Sequence, residues 1–295
     1  MYLKKTIIMK NILVTTDFSV NSKKAIRFAM QFASQNNYKL LFYNVASMMK
    51  KPSIWDDIYY GYYQSAEVKR NQEKLEKFVS KIHNETGLPM INYECICEVK
   101  NNPLFSVGKQ IMHYATEANV NYICVCTRGS GTIDKLFGTI ASELILKSTI
   151  PVFVIPKNYR IIKFSTICYA SDVENINSEI IKVVELATSL KSKIKVLHYD
   201  YGPYLKINKE KLSNIAQKYE SENVLFHYRK LNPKFTLNYH IRKDVMLIKP
   251  SLVVLFTKQN RKWFDRLFAT NHSTNMSFNT KVPLLIFRKE EKQKI

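Results

Sequence analysis

Glycine is scarce in this chain: seven residues in 295. It is the residue that lets a backbone take left-handed turns or approach a ligand closely. Three of the seven, Gly129, Gly131 and Gly138, nevertheless fall within ten positions of CTRGSGTIDKLFGT (126–139). Arginine is also thin, with nine residues against 36 lysines. Forked recognition of phosphate favours arginine, whereas lysine serves as a solvated surface charge. The basic residues are dispersed and no dense basic block carries interleaved aromatics. The net charge of +21 therefore predicts no specific nucleic-acid partner, only weak attraction to polyanions at low salt.

Cysteines number five, an odd count, and most lie in apolar runs such as YECICE and YICVC. That usage fits reduced, buried thiols and excludes a disulfide framework. The C-x-C spacing puts two thiols on one face of a strand, unlike the C-x-x-C turn of a zinc knuckle, so no metal is expected. The six histidines are scattered, with no metal-ligand spacing. No apolar run approaches the roughly 18 residues of a membrane span, so no membrane partner is expected. The opening MYLKKTIIMKNILVTTD lacks the features of a secretory leader, and the expected location is cytoplasmic.

What is present is a repeat. NILVTTDFSVNSKKAIRFAMQFA (11–33) has a counterpart in STICYASDVENINSEIIKVVELA (165–187), with Asp17 opposite Asp172. TIDKLFGT (132–139) aligns with WFDRLFAT (263–270), and IPVFVI (150–155) with VPLLIF (282–287). The order is the same throughout, which predicts two related units, 1–157 and 164–295, joined by PKNYRIIKF. Each unit alternates apolar strand-like runs with helical stripes such as Ala25, Ile26, Ala29, Phe32 and Ala33. This pattern predicts an α/β fold of two doubly wound parallel five-stranded sheets. Ligands of such sheets bind beyond the carboxyl ends of the strands. Attention falls on Thr16-Asp17, on Val45 and on the CTRGSG loop.

With these residues assembled, the chain resembles the universal stress protein family. The resemblance rests on D-x-S-x-x-S-x-x-A-x-x-x-A (Asp17, Ser19, Ser22, Ala25, Ala29), on the glycine loop, and on the P-V-x-V-I strand. It covers nearly the whole chain in two copies. It implies an adenine-nucleotide-hydrolase-like fold with strand order 3-2-1-4-5, packed as an internal pseudo-dimer through PVFVIP and PLLIF. It also implies a stress-response regulatory protein that binds ATP or ADP in the first unit. The nucleotide-binding candidates are Asp17, Val45, Arg128, Gly129, Ser130, Gly131, Gly138 and Thr139. Glycine admits backbone amides to phosphate oxygens, and a helix N-terminus favours anions.

The pattern is not intact. Cys126 occupies the first glycine position, and eight residues rather than nine separate Gly129 from Gly138. In the second unit Phe256, Gln259 and Ala269 replace the glycines, so that unit is read as having lost phosphate binding. Simpler readings stand beside the sharp ones. Asp17 and Asp172 suit helix N-caps, Thr139 and Thr270 suit caps of the following helices, and Arg128 suits an ordinary loop residue. No nucleophile–base pair appears, so no catalytic residue is named and no enzyme is expected, with slow ATP hydrolysis left open. The alternative function is an interaction protein that binds no nucleotide and acts through its pseudo-dimer surface toward a protein partner or a second copy. The aromatic group WDDIYYGYY (55–63) reads as a lid, a partner surface or packing of the long crossover.

Overall fold

In a computed structural model of the chain, residues 9–36, 38–99, 105–127, 138–200, 209–219, 223–230, 232, 234–259 and 281–290 are described. The first half runs β1 (Asn11–Thr15), α1 (Val20–Asn36), β2 (Lys39–Ala46), α2 (Asp57–Thr86), β3 (Tyr93–Val99), α3 (Val107–Glu117), β4 (Tyr122–Cys126), α4 (Thr139–Lys147) and β5 (Val152–Ile155). The second runs β6 (Thr166–Ser171), α5 (Ile176–Leu190), β7 (Lys193–Asp200), α6 (Lys209–Lys218), β8 (Val224–Lys230), α7 (Leu237–Ile248), β9 (Leu252–Thr257) and β10 (Leu284–Arg288).

The strands form one ten-stranded sheet in the order β3-β2-β1-β4-β5-β10-β9-β6-β7-β8. Each half has the expected order 3-2-1-4-5. Neighbours within a half are parallel, and the halves join where β10 pairs antiparallel with β5, Leu285 opposite Phe153. Both faces are covered, which is why β4 and β9 are buried along their whole length and read as continuous apolar runs. One face carries α1, α2 and α5; the other carries α3, α4 and α7.

The joint between the halves belongs to the core. Tyr159 and Phe164, from the expected connector, are buried against Phe28, at 5.5 and 5.6 Å between ring centroids. Helix α2 is longer than the charged stretch 67–82 suggests, because Asp56 caps it, accepting from the Tyr59 amide at 2.6 Å. The aromatic group therefore forms its first turns. Only Leu75, Val79 and Ile82 of α2 are buried. Val68 and Phe78, at helical spacing with these three, are half-buried. Strands β3 and β4, which carry Cys95, Cys97, Cys124 and Cys126, are separated by β2 and β1, a span of about 14 Å. Among the described residues, no group of three or more His, Cys, Asp or Glu could hold a metal ion, and no helix is long and apolar enough to cross a membrane.

Candidate functional site

The switch point of the first half lies between β1 and β4, whose neighbours lead in opposite directions. Thr15 pairs with Tyr43 on β2, and Val14 with Cys124 on β4. Continued past the strand ends, this register brings Val45, Asp17 and Thr127 level on adjacent chains, about 4.8 Å per step. Val45 lies inside β2, one residue before its end, rather than in the loop after it.

The turn after β1 is built from short polar side chains. Phe18 adopts a left-handed conformation at φ 62°. Its amide donates to Thr16 Oγ1 at 3.0 Å, and Thr16 Oγ1 shares a hydrogen bond with Ser22 Oγ at 2.8 Å. Asp17 is exposed, and its Oδ1 accepts from the Ser19 amide at 3.0 Å. The cap of α1 is Ser19, whose Oγ accepts from the Ser22 amide at 3.1 Å. Asp17 is thus an Asx turn rather than the N-cap, which leaves its carboxylate at the strand edge. Asn44 on β2 donates to Thr16 O at 2.8 Å and ties the two strand ends together.

The stems of the glycine loop are also tied. Thr127 N donates to Ile155 O at 2.8 Å, and Gly138 N donates to Thr127 O at 2.6 Å. Arg128, Gly129, Ser130 and Gly131 lie outside the described residues, as do Trp263, Phe264, Ala269 and Thr270. Gly138, not Thr139, is the N-cap of α4. It has extended backbone angles (φ −64°, ψ 167°) and makes no side-chain cap bond. Thr139 is the first helical residue. Because Gly138 spends its own amide on Thr127, the donors that this end directs outward are the next amides, ahead of Ser142 N, which bonds Gly138 O at 3.0 Å. A helix end of this kind carries partial positive charge.

The second half fills the corresponding place. Its register pairs Ser171 with His198 and Ala170 with Leu255, so Tyr169, Phe256 and Phe287 stand where Val14, Cys126 and Ile155 stand in the first. Phe256 stacks on Phe287 at 4.8 Å and meets Tyr169 edge-on at 5.5 Å. Asp172 makes the same Asx turn, accepting from the Glu174 amide at 3.1 Å. It is also ion-paired to Lys289, a lysine only 4% exposed whose ammonium lies 3.5 Å from Glu174 and 3.8 Å from Glu179. Burial holds the Glu179 carboxyl above its usual range, against the lowering effect of the Tyr169 hydroxyl bonded to it. Gln259, counterpart of the first loop glycine, is left-handed at φ 53°. Its amide crosses to the first half and donates to Ser148 O at 2.5 Å and Ile145 O at 3.4 Å.

The sequence profile of the Universal stress protein family matches residues 9–156, half of the chain. This chain belongs to the universal stress protein family. A universal stress protein from Archaeoglobus fulgidus is similar in structure, with a TM-score of 0.68 at 17% identity, over 96% of this chain and 97% of that one. A functionally unknown protein from Pseudomonas aeruginosa has a TM-score of 0.59 at 12% identity, covering 95% and 92% of the two chains. At these identities the likeness establishes the fold, and it extends through the second half of this universal stress protein. No curated protein sequence matches it.

Proposed function

We propose that the chain is a tandem regulatory module of two universal stress units, 1–157 and 164–295, and that only the first binds an adenine nucleotide. The observation that carries this reading is the start of α4. Its cap is a glycine without a side-chain acceptor, set at the carboxyl edge beside the strand that leads into Asp17. Phosphate oxygens suit the first-turn amides, and the Asp17 carboxylate suits the hydroxyls of a ribose. The second unit has large rings and a buried lysine at the matching positions, which supports single occupancy.

Among the described residues of this edge no nucleophile stands with its base, and the reading is of a binding module without turnover. The pseudo-dimer strands β5 and β10 pair with each other inside one chain, so a protein partner would engage another surface. Isothermal calorimetry with ATP, ADP and AMP tests the proposal. Binding of one nucleotide per chain is expected, weakened at least tenfold by Gly138→Trp and by Asp17→Ala. Absence of binding at millimolar nucleotide overturns it, as does a stoichiometry of two.

A further inference from the structure

The two halves put different charges on one scaffold. Phe18 and Val173 follow Asp17 and Asp172 and are both left-handed, at φ 62° and 60°, so the two strand-to-helix turns match residue for residue. In that match Ser19 stands opposite Glu174, and Lys24 opposite Glu179. Lys157 and Lys289 also correspond, each the second residue beyond the matched Ile155 and Phe287. The second half surrounds its lysine with three carboxylates, Asp172, Glu174 and Glu179. The first half keeps only Asp17 of the three, and puts a second lysine where the buried glutamate would be.

Packing fixes the side of α1 on which Lys24 lies. Phe28, one helical turn later, meets Phe153 of β5 and Tyr159 at 5.1 and 5.5 Å between ring centroids. Residues one turn apart share a helix face, so Lys24 is on the side turned toward β5 and the chain that leaves it. Its neighbours Lys23 and Arg27 are on the side of α2, where both pair with Glu85. Lys157 stands between Ile155 and Tyr159 on that departing chain. The two lysines thus flank the carboxyl end of β5. Lys24 is half-buried and Lys157 exposed, and among the described residues neither is ion-paired.

The end of β5 is tied to the start of α4, since Ile155 O accepts from Thr127 N, and Thr127 O from Gly138 N. Helix α4 lies on one face of the sheet and α1 on the other. An anion at this edge would have the first-turn amides of α4 on one side and two ammonium groups on the other. We propose that Lys24 and Lys157 form an oxyanion subsite that takes the terminal phosphates of a nucleoside di- or triphosphate, which rests on the nucleotide reading of the first half. Strands β1, β4 and β5 are consecutive, so Asp17, Thr127 and Lys157 follow one another across about 10 Å, two steps of the sheet. A ribose at Asp17 sets a single phosphate near Thr127, short of Lys157, whereas a chain of two or three reaches it. Lysine serves phosphate as a flexible point charge. In the second half Glu174 and Glu179 supply that negative charge from within, and Lys289 is closed off.

Calorimetry on the full-length protein with ATP, ADP, AMP and inorganic triphosphate tests the assignment. Wild type is expected to bind ATP about tenfold or more tighter than AMP. Lys24→Met and Lys157→Met should each weaken ATP about tenfold, leave AMP unchanged and keep the melting temperature, since neither lysine has an internal ion pair. Lys163→Met, exposed and farther along the connector, should change nothing. Lys24→Glu should abolish the preference for ATP and raise the melting temperature, because it gives Lys157 the kind of partner that Lys289 has. ATP binding indifferent to both methionine variants would overturn the subsite and leave the nucleotide reading standing. Equal weakening of ATP and AMP would do the same. Lysine-dependent binding of triphosphate without binding of any nucleotide would support the subsite and overturn the nucleotide reading. Absence of binding for all four ligands would overturn both.

Discussion

Replacing Lys289 by methionine removes one charge and keeps most of the apolar stem. In the folded protein the ammonium faces Asp172, Glu174 and Glu179. Taking one partner from a buried ion pair costs about 3–5 kcal/mol. Here the Asp172 and Glu174 side chains are 51% and 48% exposed and regain water, whereas Glu179 is 5% exposed and does not. Glu179 alone then carries the penalty, about 2–3 kcal/mol at pH 7, and the melting temperature falls by about 4–10 °C. The sign with pH follows from the same group. The folded pKa of Glu179 is already raised by burial, and loss of Lys289 raises it further. A carboxyl with a raised folded pKa costs stability above that pKa, and the cost disappears as pH falls through it. Thermal melts of both proteins from pH 8 to pH 5 should therefore show the gap narrowing toward acid. A gap below about 1 °C at pH 7 would make Lys289 equivalent to a surface ion pair. A gap independent of pH would remove Glu179 from the explanation.

Gln259→Ala should cost about 1–2 kcal/mol, since it strips the amide that serves Ser148 O and Ile145 O at the end of α4. Hydrogen exchange should quicken at the C-terminal turn of α4, and unchanged protection there would refute the contact. Burial pushes the thiols up, Cys97 to about 11 and Cys95 and Cys168 to about 12. Iodoacetamide at pH 7.5 should label these three only after denaturation, and rapid labelling of native Cys97 or Cys168 would contradict their burial.

The fold was legible because its signals are periodic and repeated. β4 and β9 are apolar runs buried on both faces, and the two copies check one another. The edge of the site was less legible. Thr139 suited a cap by type, but a cap depends on where the backbone leaves the helix, and α4 begins one residue earlier in the chain than that reading requires. Asp17 sits two residues before the true cap, Ser19, a distinction of hydrogen-bond partner rather than of residue class. Lys289 gave no signal at all. It is one of 36 lysines, and its acidic partners lie more than a hundred residues away along the chain. Gln259 is similar: only its equivalence to a glycine marked the position, and its partner is in the other half. The length of α2 could have been found from Asp56, a good N-cap residue preceding the aromatic group.

Comparison of the halves bears on how the fold separates stability from binding. Both keep the Asp and its Asx turn, so those features belong to the strand-to-helix connection. What differs is the material around them. Val14, Cys126 and Ile155 are replaced by Tyr169, Phe256 and Phe287, which adds three rings at one strand edge. Aromatic side chains bury roughly 150–250 Å² each, more than the buried Val14, Cys126 and Ile155 at the matching positions, so the second edge gains core packing. Lys289, the residue after β10, supplies the cation. The carboxylate of Asp172 is thereby satisfied from within the chain, by groups that cannot dissociate. Gln259 extends the same logic across the joint, turning a loop position into a clasp on α4 of the other half. Joining β5 to β10 in one chain makes this asymmetry available, because each edge can change without altering its partner. An edge filled by its own side chains stabilises the assembly at every ligand concentration, whereas an edge finished by a nucleotide stabilises it only by RT ln(1 + [L]/Kd). Nucleotide should accordingly raise the melting temperature through the first half alone, and Lys289→Met should leave that increment intact.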